Sequence, residues 1–310
     1  MKDIMNLALV NYSTVWGDKE ANLARILEYC DAAGKRGADF VVFPETALTG
    51  YGNDAGKVRS EKMHCRLAET IPGPATGAVA EYAKKYHMYV VFGMAERDAD
   101  NPEVVYNSAA IVYPDGRIDT YRKLHLPFDE AEWCVRGDRP VLIDTPWGPM
   151  GVAICYDTYC FPELIRYYRS MGARMCLNVT ACPDTPCTAG SYKLALPAYA
   201  FINYMYIATS NLCGPEHGSN FIGGSSVIGP DKSGGDVHVY LGTMYDEEGH
   251  DESGMVMGTI DLGLVDQYAQ IPVFRFNPML GDRDWRGDLY AELFMESKKA
   301  FDEKQTGEKK

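Results

Sequence analysis

The chain has 310 residues, with 30 Lys plus Arg against 43 Asp plus Glu and a formal charge of −13 at pH 7. Nucleic-acid binding relies on a basic footprint that this composition lacks, and a chain that is 46% hydrophobic and 12% aromatic can bury a full core, so neither a nucleic-acid partner nor extensive disorder is expected. No run reaches the ~18–20 apolar residues of a membrane span, and the first apolar stretch is too short for a secretory signal, so the sequence reads as soluble and cytoplasmic with no membrane partner.

In chain order, residues 6–10 read as a strand, and Asp18 then caps a helix with Leu23, Ile26, Leu27, Cys30 and Ala33 on one face and Gly34 and Gly37 at its end. The continuous apolar run Phe40-Val41-Val42-Phe43, stopped by Pro44, has the pattern of a strand buried on both faces. Val79, Tyr82, Ala83 and Tyr86 mark a second amphipathic helix, followed by a strand at 89–93. Runs at 107–112 and 118–124 flank the turn Pro114-Asp115-Gly116, so part of the sheet is expected to be antiparallel. A further strand pair at 141–144 and 150–154 leads to a helix with Pro162 in its first turn and Phe161, Leu164, Ile165 and Tyr168 at helical spacing. Strand-like runs at 175–179, 206–210, 225–228, 237–241 and 255–260 follow. With no linker in view, this is one α/β domain over 1–295, and 296–310 reads as a polar tail that is helical only at its start.

Nine cysteines form an odd count in a chain too long to need disulfide staples, so they read as reduced thiols. Cys155 is the one placed for chemistry. It ends an apolar strand and precedes a helix, so it projects clear of the sheet, where a helix dipole and nearby backbone N–H groups favour thiolate and oxyanion. Glu45, directly after the 40–44 run, is either a solvated loop residue or a buried carboxylate able to act as a general base. Lys123, at the end of another strand-like run, is either a surface cation or an ammonium that stabilises negative charge on a carbonyl oxygen and favours a neighbouring thiolate. Glu130, or alternatively Glu132, is positioned to neutralise and orient it.

Three segments then carry a specific likeness: Phe43-Pro44-Glu45-Thr46-Ala47-Leu48-Thr49-Gly50-Tyr51, Arg122-Lys123-Leu124-His125-Leu126-Pro127 and Gly151-Val152-Ala153-Ile154-Cys155-Tyr156-Asp157. In that order they resemble the Glu, Lys and Cys signatures of the carbon–nitrogen hydrolase, or nitrilase, superfamily. Gly223-Gly224-Ser225-Ser226-Val227-Ile228-Gly229-Pro230-Asp231 resembles the late strand and turn of that family, and Asp282-Arg283-Asp284-Trp285-Arg286 its C-terminal segment. The resemblance implies a four-layer αββα sandwich, assembled as a homodimer or higher homo-oligomer, with no metal and no organic cofactor. It also implies Cys155 as nucleophile, Glu45 as general base and acid, Lys123 with the backbone N–H of Tyr156 as oxyanion donors, and Glu130 as the second carboxylate. Glu130 lies seven residues before Gly137-Asp138, which resembles the Pro-Gly-Asp of the family, with Arg136 in place of the proline.

The implied reaction is hydrolysis of a non-peptide C–N bond through a thioester. Tyr156-Asp157 resembles the amidase and carbamoyl-amide branches, whereas Trp-Glu follows the cysteine in nitrile hydrolases, so a small primary amide is the expected substrate. The alternatives are an N-carbamoyl hydrolase, which releases carbon dioxide as well as ammonia, and a nitrilase proper. The arginines that many relatives carry before Asn203 are missing from Leu196-Pro197-Ala198-Tyr199-Ala200-Phe201-Ile202, and Cys182-Pro183-Asp184-Thr185-Pro186-Cys187 is an unusual loop that either places Cys182 near the substrate pocket or has no role. Two other classes compete. Zinc bound by Cys155 and Cys160, or by Cys182 and Cys187, has poor ligand spacing and no clustered His, and a non-catalytic scaffold would not call for Glu45, Lys123 and Cys155 together. No Gly-x-Ser-x-Gly elbow supports serine chemistry.

Overall fold

The structure, a computed structural model, describes residues 1–233, 235–268 and 286–305. In chain order its elements are β1 (Ile4–Asn11), α1 (Lys19–Lys35), β2 (Phe40–Val42), α2 (Met63–Leu67), α3 (Pro74–Tyr86), β3 (Tyr89–Arg97), β4 (Val105–Val112), β5 (Ile118–Arg122), β6 (Val141–Ile143), β7 (Met150–Ile154), α4 (Tyr156–Cys160) and α5 (Pro162–Ser170). They continue with β8 (Met175–Thr180), α6 (Pro186–Asn203), β9 (Tyr206–Asn211), β10 (Cys213–Glu216), β11 (Ser219–Ile222), β12 (Ser226–Pro230), β13 (Val237–Gly242), β14 (Gly254–Asp261), α7 (Gly263–Tyr268) and α8 (Gly287–Gln305).

The strands form two six-stranded mixed sheets, ordered β14-β1-β2-β3-β4-β5 and β13-β12-β9-β8-β7-β6, each with three parallel strands in its interior (β1-β2-β3 and β9-β8-β7). The period-2 pattern explains the layers. Leu7, Leu9, Phe40, Val42 and Val91 of the first sheet join Val152, Ile154, Leu177, Val179 and Ile207 of the second in one buried core. Their alternates Ala8, Val10, Val41, Val90 and Phe92 pack against Ile26 and Cys30 of α1 and Val79 and Ala83 of α3. Leu164, Ile165 and Tyr168 of α5 and Tyr192, Leu196 and Ala200 of α6 complete the far side. The result is the αββα sandwich. The two sheets are joined where Tyr12 and Leu212 form a parallel bridge and Ser210 donates to the Val10 carbonyl at 2.6 Å.

Local expectations hold in part. Gly34 lies in the last turn of α1, as expected, and the Tyr86 ring fills the space a side chain would take. The polar C-terminal stretch is helical from Gly287 through Gln305, supported by the Lys298–Asp302 pair one turn apart, so the helix continues well past position 296. Residues 282–285 of the C-terminal likeness lie outside the described residues. All nine cysteines are free, seven of them buried, with Cys160 and Cys187 exposed. No described helix is long and apolar enough to cross a membrane.

Gly93, in β3, is where the first sheet meets the loop after β2. A Cβ there would lie 2.5 Å from the Glu45 Cα and from the Pro44 carbonyl, and against the Thr46 nitrogen, all of them backbone atoms that cannot move aside. The Gly93 N–H instead donates to the Pro44 carbonyl at 2.9 Å. Gly93→Ala is therefore expected to cost about 1–3 kcal/mol of stability, whereas Gly77→Ala in α3, where a Cβ meets nothing within 4 Å, gains up to about 1 kcal/mol. Urea midpoints of the two variants check this; a Gly93→Ala protein as stable as the parent would contradict it.

Candidate active site

Four chain segments converge at one end of the sheet interface. Glu45 follows β2, Lys123 follows β5, Cys155 follows β7 and Ala181 follows β8. Lys123 is fully buried, and its backbone is fixed on both sides, its N–H on the Asn107 carbonyl at 2.8 Å and its carbonyl under the Gly137 N–H at 2.7 Å. Gly137 approaches so closely that a Cβ would strike the Arg122 carbonyl.

The Lys123 ammonium donates to Glu45 Oε1 at 2.7 Å and to Glu130 Oε1 at 2.6 Å, and both carboxylates are as buried as the lysine. One of its three N–H bonds is left over for a further acceptor. Burial works to lower the Lys123 pKa, but Glu130 and Glu45 outweigh it and hold it well above the ordinary lysine value. Burial raises the Glu130 carboxyl, Lys123 opposes this, and Glu45 adds to it, leaving Glu130 at about 7. Glu45 Oε2 accepts the Ala181 N–H at 2.9 Å, which ties the first sheet's carboxylate to the second sheet.

Cys155 is nearly buried and caps α4 with φ +49° and ψ −103°, a conformation that costs a non-glycine residue energy and is held by the Cys155 N–H bond to the Val179 carbonyl at 3.0 Å. Its Sγ lies 4.0 Å from the Ala181 carbonyl oxygen, so it stands beside the same residue that Glu45 grips. The helix dipole and Lys123, expected to favour the thiolate, do not dominate here. Burial, and then the charge of Glu45, push the thiol well above its ordinary value, and Lys123 only partly offsets them. The backbone N–H of Tyr156 sits in the first turn of α4, one residue from the thiol.

Of the two alternatives at 130 and 132, it is Glu130 that reaches Lys123. Glu132 is half-exposed and pairs with Lys62 at 2.7 Å. Asp157 is fully buried and has a structural part. It accepts from Tyr121 Oη at 2.7 Å and from the backbone N–H groups of Leu124 and His125 at 3.2 and 2.9 Å, so it anchors the Lys123 loop to α4. His125 contacts the same carboxylate through Nδ1 at 2.8 Å and stacks on Phe161. Cys182 is buried and close enough to raise the Cys155 thiol slightly, while Cys187 is exposed at the start of α6.

Three contributors were not anticipated. Asn107 donates from Nδ2 to Glu45 Oε1 at 2.7 Å and to Glu130 Oε2 at 3.4 Å, bridging the two carboxylates. Its signal was a polar residue inside the apolar run of β4. Tyr51 donates from Oη to Glu130 Oε1 at 2.6 Å, and burial followed by the charge of Glu130 keeps its hydroxyl protonated. Glu216, from the unanticipated β10–β11 hairpin, accepts the Tyr51 and Gly52 N–H groups at 2.8 Å each and a hydrogen bond from Thr14.

Comparison with known proteins shows the family. The "Carbon-nitrogen hydrolase" family profile matches residues 6–270. Omega-amidase NIT2 of Bos taurus is 32% identical over 274 residues, covering 83% of this chain and 89% of that protein. A nitrilase of Pyrococcus abyssi is 34% identical over 215 residues, covering 69% and 77%. Among solved structures, an amidase from Nesterenkonia sp. superposes with a TM-score of 0.71 at 23% identity, covering 94% of this chain and 97% of that one, which shows the shared fold. With the profile running from β1 to the end of α7 and the bovine relative aligned over most of the length, this protein belongs to the carbon–nitrogen hydrolase family.

Proposed function

We propose that the chain is an amidase that hydrolyses a small primary amide through a thioester on Cys155. The observation that carries this reading is the buried Lys123 ammonium, bonded to both Glu45 and Glu130 with one donor to spare, beside a thiol held protonated in a strained turn.

A protonated resting thiol needs a base at the moment of attack, and Glu45 is the carboxylate assigned to take its proton. As Cys155 attacks the carbonyl carbon, the spare Lys123 N–H and the Tyr156 N–H receive the developing oxyanion, an interaction of the kind worth about 10²–10³ in kcat. Glu45 then returns its proton to the leaving nitrogen, ammonia departs and a thioester remains. Glu45 next activates water to cleave it, and the proton returns to the sulfur. Glu130 and Asn107 keep Lys123 and Glu45 in register throughout. A homo-oligomeric, cytoplasmic enzyme belongs to the same proposal, and the exposed Leu293, Phe294 and Met295 of α8 support the assembly.

Intact mass spectrometry during turnover of an amide library is expected to show an adduct equal to the acyl group on the parent protein and none on Cys155→Ala, whose ammonia release falls to background. Turnover that persists in Cys155→Ala removes the thiol from the mechanism, and carbon dioxide released with ammonia points to a carbamoyl substrate.

Glu130 generates a pH prediction. Below about pH 7 it takes up a proton, and the Lys123 charge is then balanced by Glu45 alone, which ties that carboxylate more tightly to the ammonium. The kcat/KM profile is expected to fall as pH drops through about 7, and Glu130→Gln to show lower activity without that limb. Between the ordinary carboxyl value of 4.5 and about 7, the folded protein holds a proton that the unfolded chain releases, so this group's contribution to stability declines as pH rises through that window. Denaturant titrations of the parent and Glu130→Gln measure the second effect; an unaltered acid limb in the variant would refute the first.

A further inference from the structure

A cavity of about 200 Å³ opens beside the site, with Tyr51 and Glu130 among its lining residues, so it adjoins the residue whose carboxylate holds Lys123. Its other walls include Asn53, Asp129, Trp133 and His217, and none of its lining residues is Lys or Arg. A substrate bound at Cys155 and extending into this space therefore meets two carboxylates and two aromatic rings.

The cations nearby are already committed. Lys62 is buried and spends all three N–H bonds, on Asn53 Oδ1 at 3.0 Å, the Asp54 carbonyl at 3.0 Å and Glu132 Oε2 at 2.7 Å. Lys57 pairs with Asp54 at 3.1 Å. His217 is stacked on Trp16, with its Nε2 3.8 Å from Asp54. Asp129 is different. Its Oδ2 accepts from Asn53 Nδ2 at 2.6 Å, while its Oδ1 has no partner among the described residues. Asn53 is in turn bonded to Lys62 and Glu132, and Asp129 is exposed, so its carboxylate is held through one oxygen and faces solvent with the other.

We infer that the substrate amide carries a cationic group, an ammonium or guanidinium, at the end remote from the reacting carbonyl, and that Asp129 is the residue that selects it. This rests on the amidase reading and names its substrate class. A distal carboxylate would enter a site with no free donor of positive charge and two like charges in the wall, which disfavours it by repulsion and desolvation. A cation gains a charge-assisted hydrogen bond to Oδ1, aromatic surface from Tyr51 and Trp133, and the attraction of a protein whose formal charge is −13.

The test uses the purified full chain and three straight-chain primary amides matched in length, ending in an ammonium, a methyl group or a carboxylate, with ammonia release as readout. In the parent, kcat/KM for the ammonium amide is expected to exceed that for the carboxylate amide by about tenfold or more. Asp129→Asn keeps an oxygen for the Asn53 bond and is expected to lower the ammonium-to-methyl ratio about tenfold, mainly through KM. Asp129→Lys is expected to shift preference toward the carboxylate. Because each result is a ratio within one protein, partial loss of folded material cancels. A parent that shows no preference or favours the carboxylate overturns the inference, as do ratios unchanged in both variants. Failure to release ammonia from any of the three overturns the amidase reading itself.

Discussion

One buried ammonium between two buried carboxylates governs the construction of this molecule. Lys123, Glu45 and Glu130 are at most 2% exposed, and desolvating three ionisable groups is costly unless every charge is met at close range. Here they are met, at 2.6 and 2.7 Å, with Asn107, Tyr51 and the Ala181 N–H filling the remaining acceptor sites. Removing one member would leave uncompensated buried charge, a loss of about 3–5 kcal/mol in comparable pairs. The cluster is thus a constraint on folding as well as a chemical device: its charged members come from the loops that follow β2 and β5 of the first sheet, and the Ala181 N–H on Glu45 fastens it to the second.

The surrounding backbone is shaped to that end. Gly93 lets the Glu45 loop lie directly on β3, and Gly137 lets the chain close over Lys123. Asp157 ties the Lys123 loop to α4, which carries the strained Cys155 at its start. The thiol consequently sits where burial and the charge of Glu45 both suppress its ionisation. Glu216 extends the same framework outward by holding the Tyr51 loop that forms one wall of the adjoining cavity.

Much of this was legible in the chain. The strand-like runs ending at Glu45, Lys123 and Cys155 were visible, and Glu130 was found by counting back from Gly137-Asp138, through its resemblance to the Pro-Gly-Asp of the family. Helix α6 was not visible as a helix. Pro197 lies inside it, where a proline removes a hydrogen bond, and the helix survives because Tyr192, Leu196 and Ala200 on either side are packed into the core. The β10–β11 hairpin was also missed, although His217-Gly218, both with positive φ, is a turn signal. Its Glu216 gave no sign of function, since a carboxylate's partners 164 and 165 residues away leave no local pattern.

By itself the sequence determined the α/β architecture, because strand alternation and helix periodicity are local properties of the chain, and it supplied the candidate groups at Glu45, Lys123 and Cys155 through motifs that resemble those of the family. Only the tertiary structure decided which groups meet, how they are charged and what lies beside them. Whether Glu130 or Glu132 partners Lys123, whether Cys155 rests as thiol or thiolate, and whether Asp129 keeps an open oxygen all depend on burial and on distances between segments remote in sequence. Electrostatic energies follow those quantities, and no residue carries them alone.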